Sequence, residues 1–122
     1  MKSLQNASSY SVGIIGYGVV GKKRHSILKS YTNITIVAAS DINEDSLSTL
    51  PNNIKKFKSY RDLINKSECE IVFISLPNRF AADATKLALR QGKHVFCEKP
   101  PARSSRELSS IKTLIQGRKI KL

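Results

Sequence analysis

Three glycines near the start of the chain have a spacing that could serve binding chemistry. They belong to the run Gly16-Tyr17-Gly18-Val19-Val20-Gly21. An apolar, β-branched run precedes them and an amphipathic stretch follows, which is the context of a glycine-rich turn between a strand and a helix. In such a turn the first glycine makes the tight bend, the second lets a pyrophosphate approach the backbone, and the third lets the helix pack on the strand. The helix amino end also favours anions, so the run predicts a phosphate-binding turn.

An aspartate completes this pattern. Asp41 lies twenty residues beyond Gly21, at the predicted end of the second strand. A carboxylate there can accept hydrogen bonds from both ribose hydroxyls of an adenosine, and it would repel a 2′-phosphate. The pattern therefore predicts a dinucleotide site that favours NAD, while nearby lysines leave NADP open. The alternative is that Asp41 caps the next helix of a domain that binds no cofactor.

Two more polar groups follow predicted strands. Pro77 and Asn78 come after the fourth strand, and Glu98, Lys99 and Pro100 come after the fifth. Strand ends of an open parallel sheet meet the crevice that holds ligand. A lysine there could polarise a substrate hydroxyl or carbonyl, or move its proton. The alternative is a solvated Lys99 paired with Glu98, and the residues alone favour neither.

These residues need a sheet to position them, and the chain alternates short apolar runs with longer amphipathic stretches. The predicted strands are Ser11–Ile15, Ile34–Ala39, Ile54–Phe57, Ile71–Leu76 and His94–Cys97. The predicted helices are Val19–Tyr31, Asn43–Leu50, one capped by Ser59 that runs through Lys66, Phe80–Gln91, and one capped by Ser104 or Ser105 that runs through Gln116. Strands that are apolar on both faces indicate a parallel sheet covered on both sides. We therefore expect a doubly wound α/β domain of the Rossmann type over residues 11–122, after a flexible leader at residues 1–10.

The charge balance bears on partners. The chain has 122 residues, of which 21 are Lys or Arg and nine are Asp or Glu, so its net charge is +12. Such an excess suits polyanionic partners, but no aromatic residues interleave with the basic clusters as they do on single-strand binding surfaces. Nucleic-acid binding is therefore the weaker hypothesis, and a small phosphorylated cofactor is the stronger one.

Cysteine use and hydropathy bear on the compartment. Cys69 and Cys97 do not form a CxxC pair and the chain has two histidines, so we expect two free thiols and no metal site. No stretch reaches the length of a membrane span, and the polar start is not typical of a secretory signal. These features favour the cytoplasm.

The motifs together resemble one family. The runs GIIGYGVVG, VAASDINED, SLPN and GKHVFCEKP occur in this order and are followed by a serine-capped helical stretch. From Ser11 to Gln116 the chain resembles the amino-terminal domain of the Gfo/Idh/MocA oxidoreductases. The EKP turn after GKHV is the most specific of the shared pieces.

The resemblance implies a function and roles for the residues. Enzymes of this family move a hydride between a nicotinamide cofactor and a carbon that bears a hydroxyl or carbonyl, usually on a sugar, cyclitol or sugar nucleotide. The resemblance implies that the glycine run holds the pyrophosphate, that Asp41 holds the adenosine ribose, and that Pro77 and Asn78 line the nicotinamide side. It places Glu98 near the nicotinamide ribose and makes Lys99 the catalytic lysine. Pro100 is often cis in this family.

Several departures from the family pattern limit the expectation. Ala81 and Arg24 stand where many members have histidines, and His25 is expected on the helix surface. We also expect the chain to stop at its last strand, near Lys119, before the substrate domain through which such proteins usually form homo-oligomers. The chain alone is then expected to bind cofactor without turnover. The alternative is a non-catalytic NAD(P)-binding regulatory or sensor protein.

Overall fold

A computed structural model describes residues 10–97 of the protein, apart from the side chain of Asn78. Within this range, five parallel strands form one sheet and helices connect them. In chain order the elements are β1 (Tyr10–Ile15), α1 (Val19–Leu28), β2 (Ile34–Ser40), a 3₁₀ helix (Glu44–Leu47), β3 (Lys55–Phe57), α2 (Tyr60–Lys66), β4 (Ile71–Ile74), α3 (Asn78–Arg90) and β5 (His94–Cys97). The predicted α/β class is confirmed.

The strand order creates a crevice in the middle of the sheet. The order is β3-β2-β1-β4-β5, so the chain starts in the centre, winds outward to β3, and returns to the other side of β1. In register, Val12 of β1 lies between Ile36 of β2 and Ile71 of β4. The connections that follow β1 and β4 then run to opposite faces of the sheet. Ligands of doubly wound sheets bind where strand order reverses in this way.

Helices cover both faces of the sheet and bury two apolar clusters. On one face α2 and α3 pack against strand residues such as Ile15, Val72 and Val95, all with no exposed surface. On the other face α1 and the 3₁₀ helix pack against Val12 and Ile14, which are equally buried. The strands are apolar on both sides because both sides are covered.

The sheet begins one residue earlier than predicted. Tyr10 falls in the expected leader, but it is the first residue of β1, where its N–H donates to the carbonyl of Asn33 at 2.7 Å. The rest of the leader, residues 1–9, lies outside the described range, as do Glu98, Lys99, Pro100, the predicted last helix and the predicted start of another strand at Lys119. The prediction missed Tyr10 because pairing with β2, rather than local polarity, decides where the strand starts.

Other boundaries differ because backbone hydrogen bonds end elements locally. Helix α1 stops at Leu28 rather than Tyr31, since the N–H groups of Ser30 and Tyr31 bond carbonyls only three residues back. Strand β4 stops at Ile74 rather than Leu76, because its partner β1 ends at Ile15. The remaining shifts move an end by one or two residues and concern the end of β2, the start of β3 and both ends of α3, whereas α2 runs from its predicted Ser59 cap through Lys66.

The predicted helix Asn43–Leu50 is a shorter element. Only Glu44–Leu47 is helical, and it is a 3₁₀ helix whose N–H groups bond carbonyls three residues back. Pro51 follows this stretch, and a proline disfavours the α conformation in the residue before it. The short helix is capped by the side chain of Asn43, which accepts from the N–H of Asp45 at 3.0 Å.

A buried lysine stabilises the sheet at the amino ends of β4 and β5, which is the end opposite the crevice. Lys93 is 8% exposed, and its Nζ donates to the carbonyl of Cys69 at 2.6 Å and to that of Ser67 at 3.4 Å. It thereby ties the start of β5 to the turn that leads into β4. A buried ammonium is tolerated only where such acceptors surround it.

Replacing Lys93 should therefore weaken the fold. In Lys93→Met the apolar stem is kept but the carbonyls of Ser67 and Cys69 lose their donor, so we expect the free energy of unfolding to fall by about 1–3 kcal/mol. Urea unfolding followed by circular dichroism measures this, with the exposed Lys23→Met on α1 as the matched control, expected within about 0.5 kcal/mol of the original chain. Equal effects of the two substitutions would contradict a structural role for the buried ammonium.

Candidate functional site

A cleft of about 330 Å³ lies at the carboxyl ends of the strands, where the strand order reverses. Its walls come from residues that follow β1, β2, β3 and β4. They are Gly16, Gly18, Ser40, Asp41, Ile42, Lys58, Tyr60, Ser75, Leu76, Pro77 and Phe80. Most of this surface is apolar, and its polar groups are concentrated on the side of β2 and β3. Such a cleft suits a ligand with flat rings and a polar sugar between them.

The floor of the cleft is the turn that Gly16 makes at the end of β1. Gly16 has φ +87°, a conformation that residues with side chains rarely adopt. A β-carbon on it would lie 2.3 Å from the carbonyl oxygen of Ser75 at the end of β4. Its N–H donates to the carbonyl of Ser40 at 2.9 Å, so the turn also touches the end of β2. The turn is thus held by both neighbouring strands.

The other two glycines differ in what surrounds them. A β-carbon on Gly21 would lie 2.0 Å from the carbonyl oxygen of Gly16, so this glycine is needed for α1 to pack on the turn. A β-carbon on Gly18 would meet no atom within 4 Å. Gly18 is the N-cap residue of α1 and has no side chain to cap the first N–H groups. The fold therefore does not require a glycine here, but a ligand that approaches the helix amino end does.

Asp41 is fixed in place by two backbone N–H groups. Its Oδ2 accepts from the N–H of Tyr17 at 2.8 Å, and its Oδ1 accepts from the N–H of Asn43 at 2.8 Å. The carboxylate thus joins the end of β2 to the glycine-rich turn. Asp41 does not cap the following helix, since Asn43 does so. Each carboxylate oxygen keeps a further lone pair with which it can accept a hydroxyl.

Unlike Asp41, the Ser75 side chain at the wall of the cleft has no hydrogen-bond partner within the described part of the chain. The hydroxyl of Ser75 is buried and makes no hydrogen bond there. Buried hydroxyls of folded proteins are nearly always paired, so one without a partner at the wall of a cleft fits a ligand or water that completes it. Together with the open space at Gly18 and the acceptors on Asp41, it makes the cleft suited to a dinucleotide.

The side chain of Tyr17 points away from the cleft. It is 5% exposed and packs in the cluster beneath α1, where its hydroxyl lies 2.7 Å from Nδ1 of His25. Burial raises the pKa of the Tyr17 phenol. The pKa of His25 is lowered, first by burial and then by the nearby Lys29 ammonium. His25 is therefore a partly buried partner of Tyr17, whereas the sequence predicted it on the helix surface.

The structure brings together only part of the predicted site. Gly16, Gly18, Asp41 and Pro77 line the cleft. Asn78 begins α3 beside it. Val19 and Val20 are exposed and do not line the cleft, while Tyr17 contributes only its backbone. Glu98 and Lys99 lie outside the described residues, so their predicted roles stay predictions.

Sequence reasoning missed several residues of the cleft. Lys58 and Ser75 follow strand ends directly, as Asp41 does, Ile42 comes one residue later, and Tyr60 and Phe80 lie in the first turns of α2 and α3. The available signal was position: every residue just beyond a strand end of this sheet was a candidate. Ala81, which stands where many members of the resembled family have a histidine, is buried in the core and has no group for chemistry.

A family model decides the classification. The model GFO_IDH_MocA, described as an oxidoreductase family with an NAD-binding Rossmann fold, matches residues 10–122. The chain belongs to this family. The domain is accordingly an NAD-binding Rossmann domain of the Gfo/Idh/MocA oxidoreductase family.

Relatives with curated names act on cyclitols and sugars. Inositol 2-dehydrogenase of Salmonella typhimurium (strain LT2) is 34% identical over 95 residues, which cover 74% of this chain and 28% of that protein. D-glucoside 3-dehydrogenase of Escherichia coli (strain K12) is 33% identical over 106 residues, which cover 84% of this chain and 30% of that protein. The chain thus spans less than a third of the length of these relatives.

Solved structures of the family share the fold. Apo scyllo-inositol dehydrogenase from Lactobacillus casei has a TM-score of 0.84 and 24% identity, and the match covers 93% of this chain and 35% of that one. Biliverdin reductase from Synechocystis, solved with biliverdin and NADP⁺, has a TM-score of 0.84 and 24% identity over 93% of this chain and 36% of that one. At these identities the likeness shows the fold alone.

Between residues 10 and 97 no helix is long and apolar enough to cross a membrane. In the same range no three His, Cys, Asp or Glu side chains group in a way that could hold a metal ion.

The three glycines of the turn should respond differently to alanine. Gly16→Ala and Gly21→Ala place a β-carbon against backbone atoms, so each should lower the free energy of unfolding by about 2 kcal/mol or more. Gly18→Ala has open space and a φ of −81°, so its stability should change by less than about 0.5 kcal/mol. Thermal and urea unfolding of the three variants measure this. Equal destabilisation by all three would contradict the packing described for the turn.

The titration of His25 should respond to Lys29. Because the pKa of His25 is lower in the folded chain, the unfolded chain binds a proton near pH 6.5 that the folded chain does not bind. The free energy of unfolding should therefore fall as the pH drops below about 6.5. Removing the cation in Lys29→Gln should move the folded pKa upward and make this fall smaller. Proton NMR of the imidazole Hε1 signals follows it directly, with Lys23→Gln as a control of equal charge change.

Proposed function

We propose that this domain binds NAD for an oxidoreductase that moves a hydride between the cofactor and a hydroxyl or carbonyl carbon of a sugar, cyclitol or sugar nucleotide. The carrying observation is the cleft itself, in which an unobstructed Gly18 at the amino end of α1 lies near a fixed Asp41 carboxylate. Packing does not require the glycine at position 18, and the Asp41 carboxylate keeps acceptor lone pairs beyond its two backbone hydrogen bonds, so both features suit a ligand that has phosphates and a ribose.

The described residues divide the binding work. The N–H groups at the start of α1 have no side-chain cap and therefore favour an anion, so they and Gly18 hold the pyrophosphate. Asp41 accepts the ribose hydroxyls on lone pairs that its two backbone bonds leave available. Ile42 is 91% exposed directly beside it and offers an apolar surface for the adenine ring. Because the backbone fixes Asp41 beforehand, little ordering remains when the ligand arrives.

The opposite wall of the cleft serves the nicotinamide. Leu76 and Pro77 after β4, together with Phe80 in the first turn of α3, form an apolar surface there. The buried Ser75 hydroxyl beneath them can donate to a ligand or a bound water. An apolar wall excludes water from the place where a hydride moves, which protects the reaction.

The chemical step requires residues beyond the described range. NAD, when bound, takes up or supplies the hydride. On the family resemblance, Glu98 lies near the nicotinamide ribose and Asn78 lines the ring. Lys99 then holds the reacting oxygen of the substrate and passes its proton. The role of Lys99 as the catalytic residue is part of this proposal.

The relatives support a substrate class for the whole protein. Inositol, D-glucoside and glucose 6-phosphate dehydrogenases are among the matched proteins, which supports a polyhydroxylated substrate. This chain spans about 30% of their length, so we propose that it binds cofactor and does not turn substrate over alone. We further propose that the whole protein is cytoplasmic, since two cysteines outside any CxxC pair suit a reducing compartment, and that it is a homo-oligomer, as the family resemblance implies.

Cofactor binding tests the proposal directly. The chain should bind NADH, measured by titration calorimetry and by the fluorescence of the dihydronicotinamide. Gly18→Val should fold normally yet weaken NADH binding by roughly tenfold or more, since its side chain occupies the phosphate approach. Asp41→Asn should weaken it by roughly tenfold through the loss of a charge-assisted hydrogen bond.

A matched control keeps the result specific. Thr35→Val places the same side chain at the exposed amino end of β2, far from the cleft, and should leave NADH binding unchanged. A folded chain that binds neither NADH nor NADPH would sink the proposal. Binding by the chain, with no dehydrogenase activity in the whole protein on polyols and sugars, would favour the regulatory or sensor alternative.

A further inference from the structure

A lysine that the motifs did not single out lies next to Asp41 at the mouth of the cleft. Lys58 follows β3 as Asp41 follows β2, and these two strands are neighbours in the sheet. The N–H of Asp41 donates to the carbonyl of Phe57 at 3.1 Å, so the two strand ends are level with each other. Both Lys58 and Asp41 line the cleft.

This lysine is already engaged by a carboxylate. Its Nζ lies 2.8 Å from Oε1 of Glu44, and both side chains are about 70% exposed. The hydrogen bond to Glu44 raises the pKa of the Lys58 ammonium, which is charged at neutral pH. Glu44 lies three residues beyond Asp41, at the start of the 3₁₀ helix that Asn43 caps. Its position is thus set by the same turn that fixes Asp41.

Asp41 and Lys58 line the cleft where the adenosine ribose binds under the proposed function, and Glu44 is linked to that place through its ion pair with Lys58. Asp41 and Glu44 contribute two negative charges, and Lys58 contributes one positive charge. A 2′-phosphate, which carries about two negative charges at neutral pH, would meet a net negative wall and a cation turned toward Glu44. Ile42 between them has no donor for a phosphate. NAD, which has hydroxyls at this position, meets no such repulsion.

We propose that Glu44 determines cofactor choice by holding Lys58 in an ion pair, so that the site selects NAD over NADP. The inference rests on the proposed cofactor function and names a residue that sets its specificity. Removal of the Glu44 carboxylate leaves a lysine beside the ribose that is available to a 2′-phosphate. Glu44 is then a positioning residue, because it acts through Lys58 and not on the ribose itself.

The test is a double-mutant cycle read by binding. Dissociation constants for NADH and NADPH are measured by calorimetry for the original chain, Glu44→Gln, Lys58→Gln and the double variant. We expect Glu44→Gln to shift the NADPH-to-NADH affinity ratio toward NADPH by roughly two- to fivefold, a size typical of exposed charge pairs. In the Lys58→Gln background the same substitution should shift the ratio much less. The effect should shrink with added salt, because exposed charges are screened.

A second ion pair supplies the matched control. Asp62 and Lys66 form an exposed pair on α2 at 3.7 Å, and neither lines the cleft. Asp62→Asn changes the net charge by the same amount as Glu44→Gln and should leave the ratio unchanged. Urea midpoints of all variants show whether they fold.

The possible outcomes distinguish failure of the role of Glu44 from failure of the proposed cofactor function. An unchanged ratio in folded Glu44→Gln overturns the role of Glu44. The same shift in Asp62→Asn, or an undiminished shift in the Lys58→Gln background, overturns it as well, since the effect would then be one of overall charge. Absence of any dinucleotide binding by the original chain overturns the proposed function together with this inference, and it is seen before any variant is made.

Discussion

The turn between β1 and α1 depends on two residues that have no side chain. The Cα of Gly16 lies against the carbonyl of Ser75, and the Cα of Gly21 lies against the carbonyl of Gly16. These contacts bring three backbone segments together without intervening atoms. The amino end of α1 is therefore set directly over the end of β1, and the end of β4 lies next to it. The cleft exists because this junction is so close.

Asp41 links that junction to the end of the second strand. Its carboxylate accepts from the N–H of Tyr17 within the turn, and Tyr17 in turn buries its ring beneath α1 beside His25. One residue thus joins the ligand-facing carboxylate to the core. The polar wall of the cleft is set by the protein's own hydrogen bonds, which is the arrangement that lowers the entropic cost of binding.

The fold class and the centre of the site were predictable because they depend on local rules. A glycine turn has strict steric demands, and apolar strands that alternate with amphipathic helices indicate one architecture. Lys58 and Ser75 were missed because their place in the cleft depends on which strands are neighbours, and sequence order does not give this. β3 adjoins β2 while β4 adjoins β1, so Lys58 lies by Asp41 and Ser75 lies by Gly16.

Tyr17 shows a second limit of predicting site residues from a sequence motif. The motif placed it in the cofactor loop, and its N–H does hold the Asp41 carboxylate, but its ring belongs to the core. A single residue can serve both because backbone and side chain point in different directions. A sequence motif assigns one role to a whole residue, whereas the structure shows that its backbone and its side chain have different roles.

The three-residue strand β3 has a consequence for how the chain behaves in solution. Within the described residues it forms one edge of the sheet, and its Lys55 and Lys56 are both exposed. An open edge can recruit a strand from another molecule, and short edges that carry lysines resist this because a second copy would bring like charges together. Part of the chain's large positive charge therefore acts against aggregation.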